Sequence, residues 1–127
     1  MTNQEIREYL AENLDELKFS KTNGWYKETN DTNENSIKRL PVDLPDYIEN
    51  WQQVVEKLLT NGDINCTQER FENEDGSVEW SAWISDATNQ IIIEHIIGDT
   101  IGEAVCLAMV EYLKRNKKKV NEQRNIV

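Results

Sequence analysis

Residues 64–97 read INCTQERFENEDGSVEWSAWISDATNQIIIEHII, and the turn residues inside this run decide the fold. Asn73-Glu74-Asp75-Gly76-Ser77 and Asp86-Ala87-Thr88-Asn89 divide it into three segments of strand length, which predicts strands over Ile64–Phe71, Val78–Ser85 and Gln90–Ile97. Connections this short make the strands consecutive antiparallel neighbours. In the second strand Val78, Trp80, Ala82 and Ile84 fall on one face, with Ser77, Glu79, Ser81, Trp83 and Ser85 on the other. The first set reads as core. The other face is mixed and carries one aromatic, Trp83. The third strand, with Ile91, Ile92, Ile93, Ile96 and Ile97, predicts burial on both faces. His95 alternates there with Ile93 and Ile97 and is expected to share their face. From Gly62 to Asp99 nine carboxylates stand against Arg70 alone.

Amphipathic helices flank the strands. After Pro45, with Asp46 as cap or first-turn acid, the residues Tyr47, Ile48, Trp51, Val54, Val55, Leu58 and Leu59 recur at helical spacing, and Asn61-Gly62 gives a left-handed stop. On the other side Asp99 or Thr100 caps a helix whose apolar stripe is Ile101, Ala104, Val105, Ala108, Met109, Tyr112 and Leu113. Ala104 and Ala108 allow close approach to the sheet. From Lys114 the chain turns basic and is expected to fray toward Val127. Upstream, Thr2 and Glu5 form a capping box for a helix striped with Ile6, Tyr9, Leu10, Leu14 and Leu17 and ending near Lys18. Residues 19–45 read as a loop, Asn/Thr-rich over 27–39, with Trp25 and Tyr26 as its anchors.

The expected fold class is therefore α+β. A single domain, 1–127, has the order α-α-β-β-β-α around a three-stranded antiparallel sheet in a layered α/β/α sandwich. Its parts are an N-terminal helix over 1–18, the loop over 19–45, a core over 46–113 and the basic tail over 114–127. A chain of 127 residues can bury a core without disulfides, and Cys66 and Cys106 are expected as reduced, packed thiols. With a polar N-terminus and no long apolar run, the chain is expected to be soluble and cytoplasmic, without a membrane segment.

Leu44-Pro45-Asp46-Tyr47, Trp51 with Val54-Val55-Glu56-Lys57-Leu58, the Trp-bearing strands, and Gly98-Asp99-Thr100 followed by Glu103-Ala104-Val105-Cys106-Leu107-Ala108 resemble the phage ABA sandwich domain family. Gly24-Trp25 is similar to that family's early Gly-Trp, so the resemblance spans roughly residues 24–113. It implies the layered fold and a phage or prophage origin in Gram-positive bacteria. It implies no chemistry, because members mostly lack an assigned function. The long loop, the acidic strand segment and the basic tail depart from the family pattern.

Catalytic and metal sites are not expected. His95 is the sole histidine, neither cysteine stands at ligand spacing, and the five glycines form no phosphate loop. No cofactor is implied. A net charge of −10 argues against direct nucleic-acid binding, which needs cations to neutralise phosphates. The helix-strand-strand-strand-helix order matches double-stranded-RNA-binding domains, but Asp99, Thr100 and Glu103 stand where those domains need lysine and arginine. Acidic charge instead suits a basic partner. The expected function is that of a non-enzymatic, phage-encoded inhibitor of a host or bacterial-defence protein, of anti-CRISPR or anti-restriction type. Its binding residues would be Glu69, Glu72, Glu74, Asp75, Glu79 and Asp86. Two other readings stand beside it. Trp25 and Trp83 with Lys38 and Arg39 could clasp a small nucleotide, or the chain could act through self-association as a homodimer.

Overall fold

The computed structural model describes the backbone of residues 1–31, 36–60 and 64–124, and the side chains of 1–30, 36–57 and 64–116. Within them the chain is α+β, with three helices and two three-stranded antiparallel sheets. It divides into two compact units, Met1–Asp46 and Tyr47–Val127.

The first unit opens with α1 (Asn3–Asn13). Thr2 Oγ1 accepts from the Glu5 amide at 3.1 Å and the Glu5 carboxylate accepts from the Thr2 amide at 3.1 Å, so the capping box forms as expected. The helix stops before Lys18 because the chain reverses. Glu16 takes φ 55°, and the Leu17 amide folds back onto the Ala11 carbonyl at 2.8 Å. Ile6, Leu10, Ala11 and Leu17 are buried.

Residues 19–45, expected as a loop, hold most of a sheet instead. The strands β1 (Lys18–Ser20), β2 (Gly24–Asp31) and β3 (Ser36–Pro41) pair in order, with Phe19 opposite Trp25 and Lys27 opposite Leu40. Gly24 enters β2 at φ 73°, a conformation that favours glycine, which lets the chain turn sharply between β1 and β2. Arg7 spans two carbonyls, Nε to Pro45 at 3.0 Å and Nη2 to Leu44 at 2.8 Å. That guanidinium fastens the segment after β3 to α1.

The second unit contains α2 (Trp51–Thr60), β4 (Ile64–Glu72), β5 (Val78–Asp86), β6 (Ile91–Gly98) and α3 (Ile101–Arg124). The three strands lie within a residue of their expected bounds and pair as β4-β5-β6. The helix expected from Asp46 begins at Trp51, because α3 holds the preceding turn. Cys106 Sγ donates to the Tyr47 carbonyl at 3.3 Å, and a Cβ added to Gly102 would strike the Ile48 carbonyl. The Asn61-Gly62 stop and the side chains of Leu58 and Leu59 lie outside the described residues.

Thr100 caps α3, its Oγ1 accepting from the Glu103 amide at 3.1 Å. The helix then runs through Arg124, since lysine-rich sequence without glycine or proline is helix-forming, and the residues beyond Arg124, where fraying is expected, lie outside the described ones. Small residues bring α3 down onto the sheet: a Cβ on Gly98 would lie 2.6 Å from the Ala104 nitrogen. Gly98 pairs with Trp80, so α3 covers the face that also holds Ala82 and Ile84, both fully buried, and Ile93. α2 packs beside it against α3 and β4.

These contacts rank the glycines. Gly102→Ala gains about 1 kcal/mol of helix propensity. It loses more, because the colliding partner is backbone, and overpacking costs about 1–3 kcal/mol or above. Gly76→Ala meets open space and pays only for its φ of 86°, about 1–2 kcal/mol. Urea unfolding should therefore show Gly102→Val, which cannot yield at all, as clearly more destabilising than Gly76→Ala.

Candidate functional site

Strand parity puts Asn65, Thr67, Glu69 and Phe71 of β4 beside Ser85, Trp83, Ser81 and Glu79 of β5 on the face that α3 leaves open. On β6 the register slips. Ala82 faces Ile96 but Ile84 faces Ile93, so two residues of β6, Glu94 and His95, stand opposite Trp83 alone. That irregularity corrects the expectation for His95. It separates His95 from Ile93, which stays in the core, and sets the imidazole on the outer face with Ile97. There it stacks on Trp83 with ring centres 4.2 Å apart at 15°, and Nδ1 shares a 2.9 Å hydrogen bond with Ser81 Oγ.

The outer face is thus a small stacked platform with apolar neighbours. Ile91 is 50% exposed and Ile97 57%, contrary to the expected burial of both faces of this strand. Ser81 and His95 form a buried hydroxyl paired with a more exposed ring. Ser81 is only 4% exposed, and its hydroxyl is engaged with the imidazole. The hydrogen bond holds the ring against Trp83. Cys66 is half-buried and Cys106 buried, both are free thiols, and burial pushes the Cys66 thiol upward, away from reactivity.

The two hairpin turns share one geometry. Asn73 and Asp86 each bond through their amide to the residue four ahead, at 2.8 and 2.9 Å, and Gly76 and Asn89 take the left-handed position. A carboxylate locks each turn. Asp75 accepts from Ser77 Oγ at 2.6 Å and from its amide at 2.9 Å; Asp86 accepts from Thr88 Oγ1 at 2.7 Å and from the amides of Thr88 and Gln90. These bonds hold both carboxyls below the usual aspartate range, with the Ser77 and Thr88 hydroxyls the main causes.

The six expected binding acids therefore divide. Glu72, Glu74 and Asp75 stand at the first hairpin. Glu79 joins them through the Asn73 side chain, which donates to it at 2.9 Å, and Glu69 lies diagonally across on the outer face. Asp86 stands at the far end of β5, roughly 27 Å away at about 3.3 Å per residue, more than two screening lengths in physiological salt. It belongs to a turn and not to the patch. Arg70 pairs with Glu72 at 3.3 Å, both exposed, while Glu69 and Glu74 have no partner among the described residues.

Trp25 and Trp83 do not share a unit. Trp25 tilts against Phe19 with ring centres 5.4 Å apart and lines an open groove of about 420 Å³ bounded by residues 23–25 and 41–44. Lys38 shares its sheet face, but Arg39 points the other way and lies 5.1 Å over the Tyr26 ring. Among the described residues no cluster of His, Cys, Asp and Glu could hold a metal ion, and no helix is long and apolar enough to cross a membrane. The chain matches no family model, no curated protein and no solved structure.

The locked turns carry a pH dependence. A folded carboxyl held below its unfolded value of 3.8 adds stability that is complete above that value and is lost as pH falls through the lower folded one. Between pH 5 and acid, the thermal midpoint of the parent should fall further than that of Asp75→Asn/Asp86→Asn, whose amide oxygens still accept but do not titrate.

Proposed function

We propose that this chain is a non-catalytic protein-binding module, and that the outer face of the second sheet is its contact surface. The observation that carries the reading is the composition of that face. Its strand positions hold no lysine or arginine, its centre is the Trp83–His95 stack flanked by exposed Ile91 and Ile97, and one end is acidic with Glu69, Glu79 and the first hairpin. An aromatic and aliphatic centre with a charged margin is the anatomy of a protein interface. Unbalanced negative charge selects a basic partner and speeds its approach.

Self-association about an axis near the acidic end would set like charges together, so a partner of opposite charge is the better fit. The resemblance to phage sandwich domains directs the proposal toward a phage-encoded inhibitor of a bacterial host or defence protein with a basic surface.

The test is salt-dependent capture of a partner from bacterial lysate on the immobilised chain. A partner retained at low salt should elute as salt rises, and should be lost with Glu69→Lys/Glu72→Lys/Glu74→Lys, which spares the turn-locking Asp75. Ile97→Asp should lose it at low salt as well. Capture that is equal for the parent and all variants would place the interface elsewhere.

A further inference from the structure

We infer that the first unit carries a separate site for a mononucleotide on the Trp25 face of its sheet. The register gathers Phe19, Trp25, Lys27, Leu40 and Lys38 on one face, with the groove at the Trp25 end. The other face is occupied with itself: Lys18 pairs with Glu28 at 2.9 Å and Arg39 covers Tyr26. The groove, about 420 Å³, is of small-ligand size, and its lining includes Trp25, Asn23 and Asp43.

Each part answers to one part of a nucleotide. The indole offers a flat surface on which a base stacks. The Asn23 amide can donate to and accept from a base edge, and the Asp43 carboxylate can accept from ribose hydroxyls or a base amine. One step up the same face, roughly 7 Å away, Lys27 is exposed and without a partner among the described residues. That spacing suits a phosphate attached to a base seated at Trp25. Lys38 lies one row further. Arg7, by holding the Leu44 and Pro45 carbonyls, keeps the far wall in place before any ligand arrives.

Charge decides the size of the ligand. A single strand is held by many cations along its backbone, and among the described residues this face carries Lys27 and Lys38, within a chain of net charge −10. A mononucleotide needs no more than two. The site lies in the first unit, and the acidic face proposed above lies in the second.

The full chain should be titrated calorimetrically with adenosine 5′-monophosphate and uridine 5′-monophosphate, with adenosine, inorganic phosphate and oligothymidylate in parallel. Saturable binding of a monophosphate is expected, stronger than that of adenosine or phosphate alone. Trp25→Ala and Lys27→Glu should each weaken it about tenfold or more. Lys27→Glu changes an exposed side chain, so it remains informative even if Trp25→Ala unfolds. Absence of saturable heat at millimolar monophosphate, binding unchanged in Lys27→Glu, or binding of the oligonucleotide alone would overturn the site.

Discussion

The close seating of α3 on the second sheet is the constraint on which this unit depends. Gly98, Ala104 and Ala108 remove the side chains that would hold the helix away, Gly102 does the same for the turn at Ile48, and Val105, Cys106, Met109 and Val110 then fill the interior. Because interiors are close-packed, such an approach admits few alternatives once it is made. It also assigns the two faces of the sheet. The face that receives α3 becomes core, and whatever the strands carry on alternate positions is turned outward. The outward face is thus defined by exclusion, through a helix that takes no part in it.

The second unit was legible in the sequence because its signals are local and strong. Asn73 to Ser77 and Asp86 to Asn89 punctuate the strands, and Thr100 caps the helix that follows. The first sheet was not legible. Lys27 to Arg39 contains one apolar residue, Ile37, which is itself exposed, so the alternation that marks a half-buried strand is missing. The usable signal lay in its margins, where Gly24 precedes Trp25-Tyr26 and Leu40-Pro41 follows. Pairing of short polar strands is a tertiary property, and propensity does not record it.

The candidate surface was half legible. Parity placed Trp83 outside and identified the acidic hairpin. It could not show that β6 slips register, and so could not bring His95 to Trp83. Nor could spacing tell a carboxylate that closes a turn from one that faces a partner. Asp75 and Asp86 resemble Glu74 and Glu69 in composition, yet their oxygens are committed to Ser77, Thr88 and Gln90. Charge counted along a chain overstates the charge available to a ligand.

The slipped register of β6 has a consequence for how this protein behaves in company. Five isoleucines on a border strand would ordinarily invite strands of neighbouring molecules to zip on, the first step toward fibrils. Here the ladder breaks twice within eight residues, and Arg115 Nη1 occupies the Ile92 carbonyl at 2.7 Å. A foreign strand meets no continuous template along that border. The strand can therefore expose apolar side chains while its border offers a foreign strand only an interrupted run of backbone groups.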